Sequence, residues 1–312
     1  MIYIKKCTVI YNPNSGKKQI KKYISEIKEV LKKYDYETKV ISTKYKKHAI
    51  EIVKNLNDDV DLVMSFGGDG TFNEIMTGNL KRKKRLLFTH IPVGTTNDIG
   101  AMLGYGKNII ENVKLSLKGV VKEFDIGTIN QQYFIYVAGF GKFTNLSYET
   151  PRKLKKQIGH LAYIKEGIKT FFQKTKLYDI EYEVNGEKYR GLFSLVLISN
   201  ANHIAGIKNI YKNIKLDDNK FEIVFCNLKK RKDIIKTLYF LTMYDTSKVP
   251  GFYFYRTNSI KIKIHNAEDE TWCIDGEKLE KAVNDKYTIS INEHVKVLIP
   301  KKNINKLFEK KT

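Results

Sequence analysis

The stretch that decides the fold is Ser65–Thr71, with the sequence SFGGDGT. It follows the apolar run Val60–Met64, which predicts a buried strand, and it precedes Phe72–Met76, whose apolar spacing predicts the start of a helix. Glycines between a strand and a helix let a phosphate approach backbone N–H groups, and the helix N-terminus adds partial positive charge. An aspartate in this loop, Asp69, would repel phosphate unless a cation lies between the two. The stretch therefore predicts an anion site that works with a metal ion.

Two further segments repeat this strand–turn–helix pattern. Ile91–Asp98 (IPVGTTND) follows the apolar run Leu86–His90, and Asn12–Lys17 (NPNSGK) follows the predicted strand Cys7–Tyr11. Ligands bind at the carboxyl ends of strands in open α/β sheets, so the three turns predict one nucleotide crevice. None of the turns matches the P-loop or the dinucleotide fingerprint. The predicted nucleotide-binding residues are Asn12, Pro13, Ser15, Gly16, Lys17, Gly67, Gly68, Asp69, Gly70, Thr71, Asn73, Glu74, Gly94, Thr95, Thr96 and Asn97.

Composition limits the class of protein. The 312 residues have room for about two domains. Lys and Arg number 56 against 34 Asp and Glu, so the net charge is +22, which indicates a polyanionic partner or, in part, a lysine-rich composition. No apolar run approaches the about 18–20 residues of a membrane span. The N-terminus has no signal-peptide pattern, and three scattered cysteines indicate reduced thiols, so we expect a cytoplasmic protein.

The pattern of predicted elements changes near residue 127. Up to about Ile126, strands and helices alternate, which predicts a doubly wound parallel sheet. Beyond Gly127 the chain is rich in strand patterns, and Asn185-Gly186 predicts a hairpin, so an antiparallel sandwich is expected. The predicted strands are Tyr133–Ala138, Ile180–Val184, Phe193–Ile198, Phe221–Phe225, Ile260–Ile264 and Tyr287–Ile291. Two basic amphipathic segments, Pro151–Lys176 and Leu228–Met243, fit either an anionic membrane surface or helices packed on the sandwich.

A late segment, Trp272–Glu277 (WCIDGE), adds two carboxylates around a glycine. Together, NPxSG, GGDGT, GTTND and this DGE have the order and rough spacing of the diacylglycerol kinase catalytic family, and the chain resembles its soluble bacterial lipid kinases. The family also contains sphingosine and ceramide kinases. The resemblance covers nearly the whole chain and includes Phe124–Gly127, Gly139–Gly141, Ser199-Asn200 with Gly206, and Leu216–Asp218.

The resemblance implies a two-domain fold. The first domain is an α/β nucleotide-binding domain of residues 1–127 plus 301–312, to which the tail Asn303–Phe308 returns as a helix. The second domain, residues 128–300, is an antiparallel β-sandwich that receives the lipid. The implied cofactors are ATP and Mg²⁺.

The resemblance also assigns roles to acidic residues. Asp275 is the expected general base, because a positioned carboxylate that takes the proton of a hydroxyl contributes about 10²–10⁴-fold. Glu277 either orients Asp275 or joins the metal network. The expected Mg²⁺ ligands are Asp69, Asp98 and Asp125, and a second, structural Mg²⁺ is expected at Lys215, Asp218 and Lys220, partly through carbonyls.

The chain departs from the family pattern at two places. Asn219 stands where a glycine is usual, which puts the second metal site in question. Ile99-Gly100-Ala101 replaces an aromatic-Ala-Arg segment, so a basic residue is missing. Arg82, Arg85 and Lys156 are the candidates to replace it.

The favoured function is an ATP- and Mg²⁺-dependent kinase that converts diacylglycerol to phosphatidic acid at the inner face of the membrane. A sphingoid base, ceramide, monoacylglycerol or phosphatidylglycerol stays open as the acceptor, and sandwich edge strands leave a homodimer open. An NAD kinase shares GGDGT and Asn73-Glu74 but needs a later Thr- and Ser-rich segment that is not found. A nucleic-acid-binding module would explain the charge but not acidic loops at three strand ends, so no nucleic-acid partner is expected.

Overall fold

The computed structural model describes residues 4–16, 18–95, 97–142, 175–201, 203–204, 207–208, 214–229, 251–266, 271–279 and 285–309. Lys17, Thr96, Lys156 and Gly206 lie outside these ranges, as do most of the two basic amphipathic segments. The chain divides into two compact units. Unit 1 is Met1–Phe124 with His294–Thr312, and unit 2 is Asp125–Glu293, whereas the sequence placed the boundaries at 127/128 and 300/301.

Unit 1 contains the predicted parallel sheet with helices, and this part of the fold class is confirmed. The strand order is β2-β1-β3-β4-β18, and each of these neighbouring pairs is parallel. Every residue of β3 is buried, as expected of a central strand, and α1 packs Ile20, Ile27 and Leu31 into the core. The elements are β1 Lys5–Tyr11, α1 Ile20–Lys32, β2 Tyr36–Ser42, α2 His48–Lys54, β3 Leu62–Gly67, α3 Asp69–Leu80, β4 Phe88–Pro92, α4 Asp98–Met102, α5 Ile109–Leu117 and α6 Ile304–Leu307.

Unit 2 contains the predicted antiparallel sheets, and the sandwich is confirmed. One sheet has the order β14-β13-β10-β7-β16-β17, and the other includes β18-β15-β8-β9 with β5 and β6. Alternate residues of β8 and β15 are buried, and they share one core with Phe140, Phe221 and Trp272. The strands are β5 Val120–Ile129, β6 Gln132–Phe134, β7 Val137–Gly141, β8 Tyr178–Val184, β9 Glu187–Phe193, β10 Leu195–Ser199, β11 His203–Ile204, β12 Ile207–Lys208, β13 Phe221–Cys226, β14 Phe252–Thr257, β15 Ser259–Ile264, β16 Cys273–Ile274, β17 Glu277–Lys278 and β18 Lys286–Ile299.

Two local predictions have different outcomes. The Asn185-Gly186 hairpin is confirmed, because both residues have positive φ (52° and 83°) and Val184 pairs with Glu187 across the turn. The single strand predicted over Tyr133–Ala138 is wrong, since the chain forms β6 and β7 with a break at Ile135-Tyr136. In the part of the chain that is described, no helix has both the length and the apolar character to span a membrane.

Candidate active site

The three predicted turns of unit 1 come together at the carboxyl ends of β1, β3 and β4. Gly16 has a φ of +49°, and a Cβ on it would overlap the carbonyl oxygen of Val93. A Cβ on Gly94 would lie 2.5 Å from the Cα of Gly68. At both positions only glycine lets the turns approach so closely.

Backbone hydrogen bonds join the same turns. The Asn12 N–H donates to the carbonyl of Phe66 at 3.0 Å, and the Val93 N–H donates to the carbonyl of Gly67 at 2.7 Å. The predicted convergence of the three turns in one place is therefore observed.

Asn97 shapes the turn after β4. Its φ is 56°, its Oδ1 accepts the Gly94 N–H at 2.8 Å, and its Nδ2 donates to the Gly94 carbonyl at 2.9 Å. Both polar atoms of the amide therefore close the turn on itself. The side chain thus fixes the backbone around Thr95, and nucleotide binding by Asn97 stays a prediction.

Asp69, which follows β3, links the turn after β3 to the turn after β4. Its Oδ2 accepts the N–H of Asp98 and its Oδ1 the N–H of Ile99, each at 3.1 Å. Burial raises the pKa of the Asp69 carboxyl, while these N–H groups act to lower it. These N–H groups give the carboxylate partners within the protein, and the expected cation between Asp69 and a phosphate stays a prediction. The role of Asp69 as a Mg²⁺ ligand stays a prediction as well.

Both ends of helix α2 form hydrogen bonds with side chains that lie on α3 or just after it. The Glu74 carboxylate accepts the N–H of Lys47 at 2.9 Å and that of Ala49 at 3.2 Å, at the start of α2. The Arg82 guanidinium donates to the carbonyls of Val53 at 2.8 Å and Leu56 at 2.7 Å, at its end. The sequence predicts that Glu74 binds the nucleotide, and it offers Arg82 as one candidate to replace the missing basic residue. The structure places both on the backbone around α2.

The other predicted nucleotide residues lie in or beside the turns. Asn12 Oδ1 accepts the Asn14 N–H at 2.9 Å, so this turn with Pro13 and Ser15 is closed by a side chain. Asn73 accepts a hydrogen bond from Thr77 at 3.3 Å, one helical turn further along α3. The side chain of Thr71 fills the space beside Gly67. A Cβ built on Gly70 would have no atom of the described residues within 4 Å beyond its chain neighbours and the backbone of its own helix.

In unit 2, Asp275 is held by the backbone. It forms a two-residue turn with Gly276, with φ values of 48° and 84°, between β16 and β17. Its carboxylate accepts the N–H groups of Ile135 (2.6 Å), Tyr136 (3.1 Å) and Val137 (3.0 Å). Ile135 and Tyr136 form the break between β6 and β7, and Val137 begins β7, so three consecutive N–H groups hold the carboxylate in one orientation. Glu277 follows on β17 and is exposed.

Asp125 lies against the loop that precedes β13. The Asn219 N–H donates to its Oδ2 at 2.6 Å, and its own N–H donates to the Leu216 carbonyl at 2.7 Å. Asn200 donates from Nδ2 to the Asp125 carbonyl at 2.9 Å. Asp125 is thus fixed on both sides by hydrogen bonds within unit 2.

The loop segment predicted to hold a second Mg²⁺ contains an ion pair. Asp218 Oδ1 accepts the Lys220 N–H at 3.0 Å, and Oδ2 is paired with the Arg256 guanidinium. Arg256 Nε lies 3.4 Å from Glu222 Oε1, and burial raises the pKa of Glu222 to about 8. Sequence reasoning missed Glu222 and Arg256, although a carboxylate inside the apolar strand FEIVFC is a detectable signal.

The described ranges contain carboxylates, histidines and cysteines that are candidate metal ligands. Nowhere in them do three or more His, Cys, Asp or Glu side chains lie close enough together to hold a metal ion. The ligand set Asp69, Asp98 and Asp125 therefore stays a prediction. For the second Mg²⁺, the donors do not fit, because a guanidinium already neutralises Asp218.

Comparisons with known proteins agree with this fold and these turns. The sequence model described as Diacylglycerol kinase catalytic domain matches residues 6–129. The diacylglycerol kinase of Staphylococcus saprophyticus is 30% identical over 297 residues, which are 95% of this chain and 96% of that protein. The diacylglycerol kinase of Bacillus subtilis is 28% identical over 307 residues, which are 97% and 99% of the two chains.

Solved structures agree in fold. A crystal structure titled as a diacylglycerol kinase of Bacillus anthracis superposes with a TM-score of 0.77 at 23% identity, covering 96% of this chain and 99% of that one. A second structure from this organism has a TM-score of 0.80 at 24% identity and covers 96% and 97%. The family model and the curated relatives place the chain in the kinase class of enzymes. The chain belongs to the diacylglycerol kinase family, which implies an ATP-dependent lipid kinase activity.

Proposed function

We propose that the protein transfers the γ-phosphoryl group of ATP to the hydroxyl of diacylglycerol, with Mg²⁺, and so produces phosphatidic acid. Relatives that match over nearly their whole length carry the name diacylglycerol kinase. The observation that carries the nucleotide part of the proposal is Gly70. It has no positive φ, and a Cβ there would meet none of the described residues within 4 Å, apart from its chain neighbours and the backbone of its own helix. The fold therefore does not require glycine at this position, whereas close approach of a phosphate does.

The side chains around the turns act on the backbone in this proposal. Asp69 and Asn97 hold the turns after β3 and β4 in shape, so that their N–H groups and the start of α3 receive the phosphates. Asp69 and Asp98 are the carboxylates of unit 1 that would contact Mg²⁺. When bound, the ion neutralises phosphate charge.

Asp275 is the proposed general base. Three N–H donors fix the orientation of its carboxylate, and a positioned carboxylate can accept the proton of the acceptor hydroxyl. Glu277 lies two residues away on β17 and is proposed to orient it.

The lipid acceptor requires contact with a membrane. A net charge of +22 supports transient binding to an anionic surface, where each basic residue contributes about 1 kcal/mol. The segments predicted to make this contact, including Lys230–Lys232, lie outside the described residues.

The nucleotide role of Gly70 is tested by Gly70→Ala. Alanine favours a helix over glycine by about 1 kcal/mol, so the melting temperature should stay the same or rise. The KM for ATP should increase at least tenfold, because the methyl group fills the space of the phosphate. Gly106→Ala is the matched control, since its Cβ would meet no atom closer than 3.9 Å and it lies outside the three turns. An unchanged KM for ATP in Gly70→Ala would remove the support for this site.

The acceptor is tested separately. Initial rates with ATP are measured on mixed micelles of diacylglycerol, monoacylglycerol, ceramide, a sphingoid base or phosphatidylglycerol, and on NAD, with products identified by mass. Diacylglycerol should give the highest kcat/KM. Turnover of NAD alone would overturn the proposal.

A further inference from the structure

The loop Ile214–Lys220 of unit 2 carries a buried negative charge. The Asp218 side chain is only 5% exposed, and a carboxylate at this depth needs a positive partner. The loop itself is bonded to Asp125 through Leu216 and Asn219. The charge of Asp218 therefore lies in the segment that fixes Asp125.

The positive partner comes from the neighbouring strand. Arg256 on β14 faces Glu222 on β13 in the strand register, and its guanidinium reaches Asp218 from there. One guanidinium nitrogen contacts Asp218 Oδ2, and the Nε of the same group faces Glu222, so Arg256 serves both carboxyl groups. Glu222 adds a second oxygen at 3.4 Å from Arg256 Nε, while its Oε2 is buried without a hydrogen-bond partner among the described residues.

The loop also keeps its shape without the glycine that is usual at position 219. Asn219 adopts a φ of 56°, a left-handed conformation that asparagine tolerates better than most residues. Its N–H still reaches Asp125 at 2.6 Å. With asparagine at this position the loop therefore adopts a left-handed turn and keeps its hydrogen bond to Asp125.

We propose that the Arg256 guanidinium is the resident cation of this loop and takes the place of the second Mg²⁺ that the family resemblance implies. Mg²⁺ requires a nearly octahedral set of oxygens, mostly waters. At Asp218 one oxygen accepts a backbone N–H and the other contacts a guanidinium, whose charge repels a divalent ion. The loop is thus stable without a divalent ion. This inference does not rest on the proposed reaction.

The test uses melting temperatures in EDTA and in 5 mM Mg²⁺ at constant ionic strength, without nucleotide. The variants are Arg256→Gln, Arg256→Lys and Asp218→Asn, with Arg190→Gln as the control because Arg190 forms an exposed ion pair with Asp179 in the same unit. Wild type and Asp218→Asn should show the same shift on adding Mg²⁺, because neither holds an ion at residue 218.

Arg256→Gln should melt several degrees lower than wild type in EDTA and should recover part of this loss in Mg²⁺, since Asp218 then lacks its cation. Arg256→Lys should recover part of the loss without Mg²⁺, whereas Arg190→Gln should change little. A larger Mg²⁺ shift in wild type than in Asp218→Asn would place a metal ion at this loop and overturn the proposal. Melting of Arg256→Gln at the wild-type temperature in EDTA would also overturn it.

Discussion

Asp69 in unit 1 and Asp275 in unit 2 are both aspartates beside a glycine in a conspicuous motif, and both accept backbone N–H groups. They differ in what those bonds achieve. Asp69 joins two turns by accepting two consecutive N–H groups at the start of α4. Asp275 is itself held, by three consecutive N–H groups from a break in a strand. In unit 1 a side chain organises the backbone, whereas in unit 2 the backbone organises a side chain.

The same contrast extends to their neighbours. In unit 1, Asn97 closes its own turn and Glu74 holds the start of α2, so these polar side chains act on backbone groups. In the proposed function, the phosphates therefore contact backbone groups of unit 1. Unit 2 presents a carboxylate of fixed orientation, which suits proton transfer.

The largest effect is expected from Asp69→Ala. The change leaves the N–H groups of Asp98 and Ile99 without their acceptor, at about 1–3 kcal/mol each when buried, and removes a predicted Mg²⁺ ligand. Activity should be abolished, and the melting temperature should fall. Circular dichroism melts and kinase rates per folded molecule measure the two effects, with Glu29→Ala on the exposed face of α1 as the control. Wild-type turnover in Asp69→Ala would contradict the role of Asp69 in unit 1.

The two units should also respond to pH in opposite directions. Burial raises the pKa of Glu222 in unit 2 from 4.5 to about 8, so the unfolded chain loses this proton first, and stability falls as pH rises through this window. Burial lowers the pKa of His90 in unit 1 from 6.5 to about 3, so stability falls as pH drops below 6.5. Each unit of pKa difference corresponds to about 1.4 kcal/mol.

Melting temperatures from pH 4 to 8.5 test this contrast with Glu222→Gln, which stays neutral. The windows of the two groups overlap from pH 4.5 to 6.5, where their effects oppose each other, so the wild-type decline should lie between pH 6.5 and 8. The variant should lose that decline and keep the decline toward acid. Glu183→Gln, on the more exposed strand β8, is the matched control. A Glu222→Gln profile that declines between pH 6.5 and 8 as steeply as wild type would contradict the assignment to Glu222.

The smallest effect is expected at α2. Removing its N-terminal partner by Glu74→Ala should lower the free energy of unfolding by about 1 kcal/mol. The KM for ATP should not change, because the Glu74 carboxylate contacts the backbone of Lys47 and Ala49. Urea unfolding and ATP kinetics measure the two quantities. A raised KM for ATP with unchanged stability would return Glu74 to the nucleotide site.

The sequence predicts those features whose causes are local. Glycines at Gly16, Gly68 and Gly94 mark the turns because each turn needs close backbone approach, and alternation in β8 and β15 marks the sandwich. The break between β6 and β7 was missed because the carboxylate that its N–H groups contact, Asp275, is about 140 residues away in the chain.

Side-chain partners across strands were missed for the same reason. Arg256 meets Glu222 and Asp218 only through the register of β13 with β14. The motifs identify Asp69 and Glu74 as candidate site residues. A motif does not show which backbone N–H groups donate hydrogen bonds to a carboxylate.

The most direct test of the contrast between the units is the kinetics of Asp275→Asn at saturating ATP and diacylglycerol. Asparagine keeps the size of the side chain but cannot accept the proton, so kcat per folded molecule should fall by about 10²-fold or more. The KM for ATP should stay at the wild-type value, because the proposed nucleotide site is built from the turns of unit 1. An unchanged kcat together with a raised KM for ATP would contradict the account and place Asp275 at the nucleotide.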